Sequence, residues 1–157
     1  TPTDPRVVDS MQPFFSTKFG NPASRHHAFG WEARDAVDEA RVQVSRLVGC
    51  DAREIVFTSG ATESNNLAIK GCLKSVGRPA RIVTVTTEHR AVLDPCRQLE
   101  NEGVRVTYVR PRKDGLVDVK EIEKALTPET ALLSVMAANN EIGVLQQIAE
   151  LSALARS

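Results

Sequence analysis

The chain carries no surplus of charge of either sign: lysine and arginine total 20, and aspartate and glutamate also total 20. Without a basic or acidic excess, nothing marks it for nucleic acid, an acidic membrane surface or a polyanion. Long apolar runs are missing as well, so no segment has the length needed to cross a bilayer. Cysteine is scarce. Cys50, Cys72 and Cys96 lie far apart and lack CxxC spacing, which speaks against a zinc site or a disulfide framework and favours a reducing compartment. No signal or transit peptide is visible in these residues, nor any repeat, low-complexity tract or linker, and no metal site is expected. The chain opens at Thr1-Pro2-Thr3 without methionine, as it would after removal of a leader. What remains is a globular composition, 41% apolar, over a length that suits one domain or a large piece of one.

Strand-like and helix-like segments alternate along this chain. Ala33, Val37, Ala40, Val44 and Leu47 are spaced four and three apart, one face of an amphipathic helix over 29–48 that Gly49 stops. Residues 54–58, short, β-branched and aromatic, read as a buried strand, and a helix follows until Gly77-Arg78-Pro79 breaks it. A second strand is expected over 81–86, then a helix over 91–101 ended by Gly103, and a third strand over 104–109. Lys113-Asp114-Gly115 reads as a turn, and Asp118 with Glu121 has capping-box spacing ahead of a short helix ending near Leu126. A fourth strand over 131–137 and a last helix from about 147 to 156 complete the series. Such alternation implies a three-layer α/β/α arrangement around a mainly parallel sheet.

In a sheet of that kind chemistry collects at the carboxyl ends of strands. Three of the expected ends are unusually polar: 59–66 (SGATESNN), 86–89 (TTEH) and 139–143 (NNEIG). The first is a small-residue turn feeding a helix N-terminus, where unpaired N–H groups and the helix dipole favour an anion, phosphate above all. An ordinary helix start capped by Ser59 or Thr62 is the plainer reading of the same residues. His89 taken alone reads as a surface or capping histidine, and Asn139-Asn140 as a turn. Their shared position at strand ends is what groups them.

The runs Gly20-Asn21-Pro22-Ala23-Ser24 and Phe29-Gly30-Trp31, then 54–65 (EIVFTSGATESN), Thr87-Glu88-His89-Arg90-Ala91-Val92-Leu93 and Asn139-Asn140-Glu141-Ile142-Gly143 resemble the cysteine desulfurases. These are pyridoxal-phosphate enzymes of the aspartate-aminotransferase fold (fold type I, class V group), and the match runs in order through almost the whole chain. The resemblance implies that residues 1–157 are part of the cofactor-binding large domain. It implies phosphate held by Ala61 and Thr62, and a pyridine ring stacked on His89, which would also act in proton transfer. Asn140 would lie by the ring, near its phenolic oxygen and the substrate. The implied reaction takes L-cysteine to alanine, leaving its sulfur as a persulfide on an enzyme cysteine for iron–sulfur cluster assembly. Implied partners are a second copy in a homodimer, sulfur acceptors and iron–sulfur scaffolds. The implied setting is a bacterial cytoplasm or a mitochondrial matrix.

The Schiff-base lysine, the aspartate that protonates the pyridine nitrogen and the persulfide cysteine of the family match nothing here. They would follow the Asn140 block, and the smaller domain would too. Lys70 lies roughly 12 Å along its helix from Thr62 and is not expected to replace that lysine; Cys96 reads as a structural thiol. The sequence is therefore expected to be an amino-terminal portion that does not desulfurate alone. Two alternatives stand beside this reading. The parent could be a selenocysteine lyase, or the chain could be a non-catalytic natural product that binds a full-length desulfurase.

Overall fold

The computed structural model describes residues 2–76 and 80–156. The chain divides into two compact units, one up to Phe57 and one from Thr58 onward. The expected helix break at Gly77-Arg78-Pro79 lies outside the described residues.

The first unit is helical. Helix α1 (Pro5–Ser16) lies where the sequence pattern assigned no element; Asp4 caps it by accepting the Arg6 N–H at 2.9 Å, and Pro5 starts it. Helix α2 (Ala28–Val48) matches its expected span and ends on Gly49, whose φ of 75° supplies the left-handed cap. Near its start the chain comes close: a Cβ on Gly30 would sit 2.1 Å from the Ser24 carbonyl oxygen, so only glycine fits. Ala33 is buried, and with Val37 and Ala40 it lines a 350 Å³ cavity whose other walls include Phe14, Phe19 and Phe57. Val44 and Leu47, expected on the same buried face, are exposed, Leu47 to 86%, and neither lines that cavity.

The strand expected over 54–58 does not form. A 3-10 turn (Ala52–Glu54), closed by a reciprocal capping box between Asp51 and Glu54, takes up its start, and Val56 and Phe57 are exposed. Strand structure needs a partner ladder, and this segment joins none. Instead, Arg41 donates to the Ile55 carbonyl and its guanidinium lies 5.1 Å from the Phe57 ring centre.

The second unit is a βα sandwich. Helix α3 (Ala61–Val76) precedes β1 (Arg81–Val85), α4 (Arg90–Asn101), β2 (Arg105–Val109), α5 (Val119–Ala125), β3 (Thr130–Ser134) and α6 (Ile148–Leu154). The three strands are parallel in the order β2-β1-β3. Strand alternation sends Ile82 to one face, against Ile69, Val92, Cys96 and Leu99 of α3 and α4. Val83 and Val85 go to the other, against Val117, Ile122 of α5 and Leu151 of α6. Residues 58–156 thus form three layers with β1 buried on both faces, as its apolar run requires.

Strand β3 stops earlier than expected. Beyond Ser134 the chain leaves the ladder and turns back through an isolated bridge between Ala138 and Leu145. The central strand β1 leads to α4 on one face, while its neighbour β3 leads to α6 on the other. Adjacent strands whose connections diverge leave a crevice at their carboxyl ends.

Candidate active site

Segments 86–89 and 139–143 meet at that crevice, while 59–66, which follows no strand, lies beside His89 from α3. Helix α3 begins directly after Gly60, whose carbonyl accepts the Ser64 N–H at 3.1 Å. The N–H groups of Ala61, Thr62 and Glu63 and the Thr62 hydroxyl have no partner among the described residues. Ser59 does not cap the helix with its oxygen. Its hydroxyl and its N–H both donate to Glu63 Oε2, at 2.6 and 2.7 Å, and hold that carboxyl below the usual carboxylate range. The Thr58 and Ser64 hydroxyls lie 2.6 Å apart and brace the turn from its other side. The result is a turn fixed by its own side chains, with donors left over at its tip.

His89 caps α4. Its Nδ1 accepts the Ala91 N–H at 3.0 Å, which places the proton of the neutral ring on Nε2. The residue is exposed, and no protein group bonds Nε2 among the described residues. Thr62 and Asn66 of α3 and His89, Arg90, Asp94 and Gln98 of the α4 segment line one cleft of 340 Å³, a size suited to a small ligand. Asn66 Nδ2 donates to the Thr62 carbonyl at 2.9 Å, tying the cleft wall together.

Ala61 adjoins Thr62 on the first turn of α3. Asn140 is not among the residues lining the cleft; it is exposed in the turn after β3. Its neighbour Asn139 anchors that turn: Oδ1 accepts the N–H groups of Glu141 and Ile142 at 2.9 and 3.0 Å, and Nδ2 donates to the Thr87 carbonyl at 2.9 Å. The structure therefore groups Thr62 with His89, and ties the Asn140 turn to the same strand end.

Sequence reasoning gave no role to Glu88. This side chain is buried and accepts the Met136 N–H through Oε1. Burial pushes its carboxyl above the usual range, against the pull of Met136 and of the neighbouring His89. The alternation of β1 predicts no burial beyond the strand, so only the fold reveals it. Lys70 Nζ donates to Gln98 Oε1 at 2.9 Å, between α3 and α4. Cys96 is fully buried, and burial pushes its thiol up to about 11, the mark of an inert structural cysteine.

The sequence matches the model of the family described as "Aminotransferase class-V" over residues 1–157. It is 55% identical over 157 residues to "Cysteine desulfurase IscS" of Rickettsia felis, covering 99% of this chain and 38% of that protein. The protein of the same name from Rickettsia akari is 54% identical over 158 residues, again with 38% of its length covered. Among solved structures, one titled "NIFS-LIKE PROTEIN" superposes with a TM-score of 0.93 at 38% identity, over 99% of this chain and 43% of that one. Another, titled "SspA in complex with cysteine", gives 0.91 at 38% identity, over 99% of this chain and 45% of that one. The chain spans 38% of the length of the Rickettsia relatives it matches. On the match of its whole length, the chain belongs to the class-V aminotransferase family, whose members depend on pyridoxal phosphate.

Proposed function

We propose that residues 1–157 belong to the large domain of a cysteine desulfurase, and that the α3–α4 cleft holds its pyridoxal phosphate. The observation that carries this reading is the 55% identity to proteins named cysteine desulfurase IscS over nearly all of the chain. The donors at the start of α3, of which Thr62 lines the cleft and Ala61 adjoins it, fit the cofactor. Unpaired N–H groups at Ala61 and Thr62, the Thr62 hydroxyl and the positive end of α3 suit a phosphate dianion. The exposed His89 face suits a flat pyridine ring.

When bound, pyridoxal phosphate supplies an electron sink for charge developing at the substrate α-carbon. This chain's own residues would do the rest. Ala61 and Thr62 hold the phosphate, and the Ser59–Glu63 bonds keep that turn from closing on itself. His89 keeps its Nδ1 on the Ala91 N–H and is left with Nε2 to hold or release a proton. Asn140 would offer a neutral carboxamide to the ring oxygen and the substrate. Overall, L-cysteine and an enzyme thiol would give alanine and an enzyme persulfide. Sulfur acceptors, iron–sulfur scaffolds and a second copy of the protein are the partners this reading implies. The relatives named above come from bacteria, which favours a bacterial cytoplasm over a mitochondrial matrix.

The test is alanine formation by the protein isolated from its source and supplied with pyridoxal phosphate, L-cysteine and a thiol reductant. Alanine and sulfide released in equal amounts are expected. Bound cofactor without alanine from L-cysteine, but with turnover of L-selenocysteine, would move the protein to the selenocysteine lyases. No cofactor uptake at all would overturn the reading.

A further inference from the structure

Glu88 is the single buried charged side chain among the described residues, with 8% of its surface exposed. Desolvating a carboxyl is costly, and glutamine or methionine would fill the same volume at less cost. The bond that offsets this cost is specific. Oε1 accepts the N–H of Met136, just past the end of β3, while Glu88 itself stands in the turn after β1, beside His89. The Glu88 N–H closes that turn on the Val85 carbonyl at 3.3 Å. The registered pairing of β1 with β3 ends at Thr84 and Ser134. Beyond it the Glu88–Met136 bond and the 2.9 Å bond from Asn139 Nδ2 to the Thr87 carbonyl continue the connection across the crevice.

We propose that Glu88 is a positioning residue: its carboxylate clamps the His89 turn to the strand end that leads into the Asn139-Asn140 turn, and so fixes the spacing between the imidazole and the Asn140 carboxamide. This role rests on the cofactor-binding reading above. What matters in it is an acceptor at the right reach. Glu88→Gln keeps such an acceptor in its amide oxygen, Glu88→Asp withdraws it by one methylene, and Glu88→Ala removes it.

Two readouts on the protein isolated from its source separate positioning from general support. Hydrogen exchange at the Met136 amide reports the clamp. The visible circular dichroism of bound pyridoxal phosphate reports how the ring is held. Glu88→Gln is expected to keep both close to the unsubstituted protein. Glu88→Asp and Glu88→Ala are expected to speed exchange at Met136, to diminish the dichroic band and to weaken cofactor retention about tenfold, the size of one lost bond to a charged group. Should Glu88→Ala fail to fold, Glu88→Asp carries the comparison.

A Glu88→Ala protein that melts earlier but keeps the dichroic band and the retention unchanged overturns the proposal, since the residue would then support only the fold. So does a Glu88→Gln protein that behaves like Glu88→Ala. Failure of the unsubstituted protein to take up pyridoxal phosphate is visible before any variant is made; it overturns the proposed function and this role together.

Discussion

At the scale of single residues, Glu88 also makes stability depend on pH in a direction that can be worked out. The unfolded carboxyl has an ordinary value of 4.5, and burial raises it in the folded chain. Between those two values the folded state binds more protons than the unfolded one, so stability falls as pH rises. The contribution is most favourable below the unfolded value and is lost as pH climbs through the raised folded value. Glu88→Gln removes this dependence. Melting temperatures of both proteins between about pH 4 and 8 are expected to show the glutamine variant gaining on the parent toward neutral pH. A constant difference across the range would mean that Glu88 titrates at its ordinary value. The behaviour of this residue could not be read from the sequence, because a glutamate after an apolar strand is as easily solvated as buried. The positions of Thr62 at a helix start and His89 after a strand were legible, since a small-residue turn before a helix and a polar run after an apolar one are local signals.

At the scale of elements, His89 serves two ends that substitution can separate. As the cap of α4 it accepts the Ala91 N–H at 3.0 Å; as an aromatic ring it offers a face to the cleft. Asparagine keeps an acceptor at the cap and loses the ring. His89→Ala is expected to lower stability by about 1 kcal/mol through the lost cap, whereas His89→Asn should melt close to the parent. Both should lose cofactor stacking, read as loss of the visible dichroic band. Equal melting of the two variants would show that the cap contributes little. Elements whose signals are local were the ones the sequence made plain: the span of α2, the Gly49 stop, and the Asp118 cap, which accepts the Lys120 N–H at 2.9 Å, although Glu121 accepts from Lys124 instead of completing the expected box. The signature of α1 was there too, in Asp4, Pro5 and the apolar spacing from Val7 to Phe15, but Pro13 obscures it. Residues 54–58 have strand-like side chains and still form none, because a strand is defined by a neighbour's hydrogen bonds and propensity cannot supply one. The early end of β3 has the same kind of cause: Met136 gives its N–H to Glu88, a long-range bond no window of sequence contains.

At the scale of the whole molecule, the balance between buried and exposed apolar surface decides how the 157-residue polypeptide behaves by itself. In the unit from Thr58 onward the sheet encloses two apolar clusters, one on each face. Yet β2 and β3 are the outer strands of the sheet, and among the described residues neither pairs with a further strand on its outer side, the kind of edge that invites pairing. In the unit up to Phe57, Ala33 is the single buried hydrophobic side chain among the described residues, while Phe15 is 73%, Phe19 66% and Leu47 86% exposed. Large aromatic and aliphatic groups left in water at this density mark surfaces that bind something, whether other protein or copies of themselves. The polypeptide is therefore expected to bind a hydrophobic dye in its folded state and to sediment as growing assemblies as concentration rises. Phe15→Ser and Leu47→Ser together should reduce both effects without touching the α3–α4 cleft. The decisive measurement is sedimentation velocity over a concentration series, run beside a thermal melt. A species that stays monomeric throughout and melts sharply and reversibly would mean that these exposed side chains are tolerated, and that the two clusters around β1 stabilise the chain unaided.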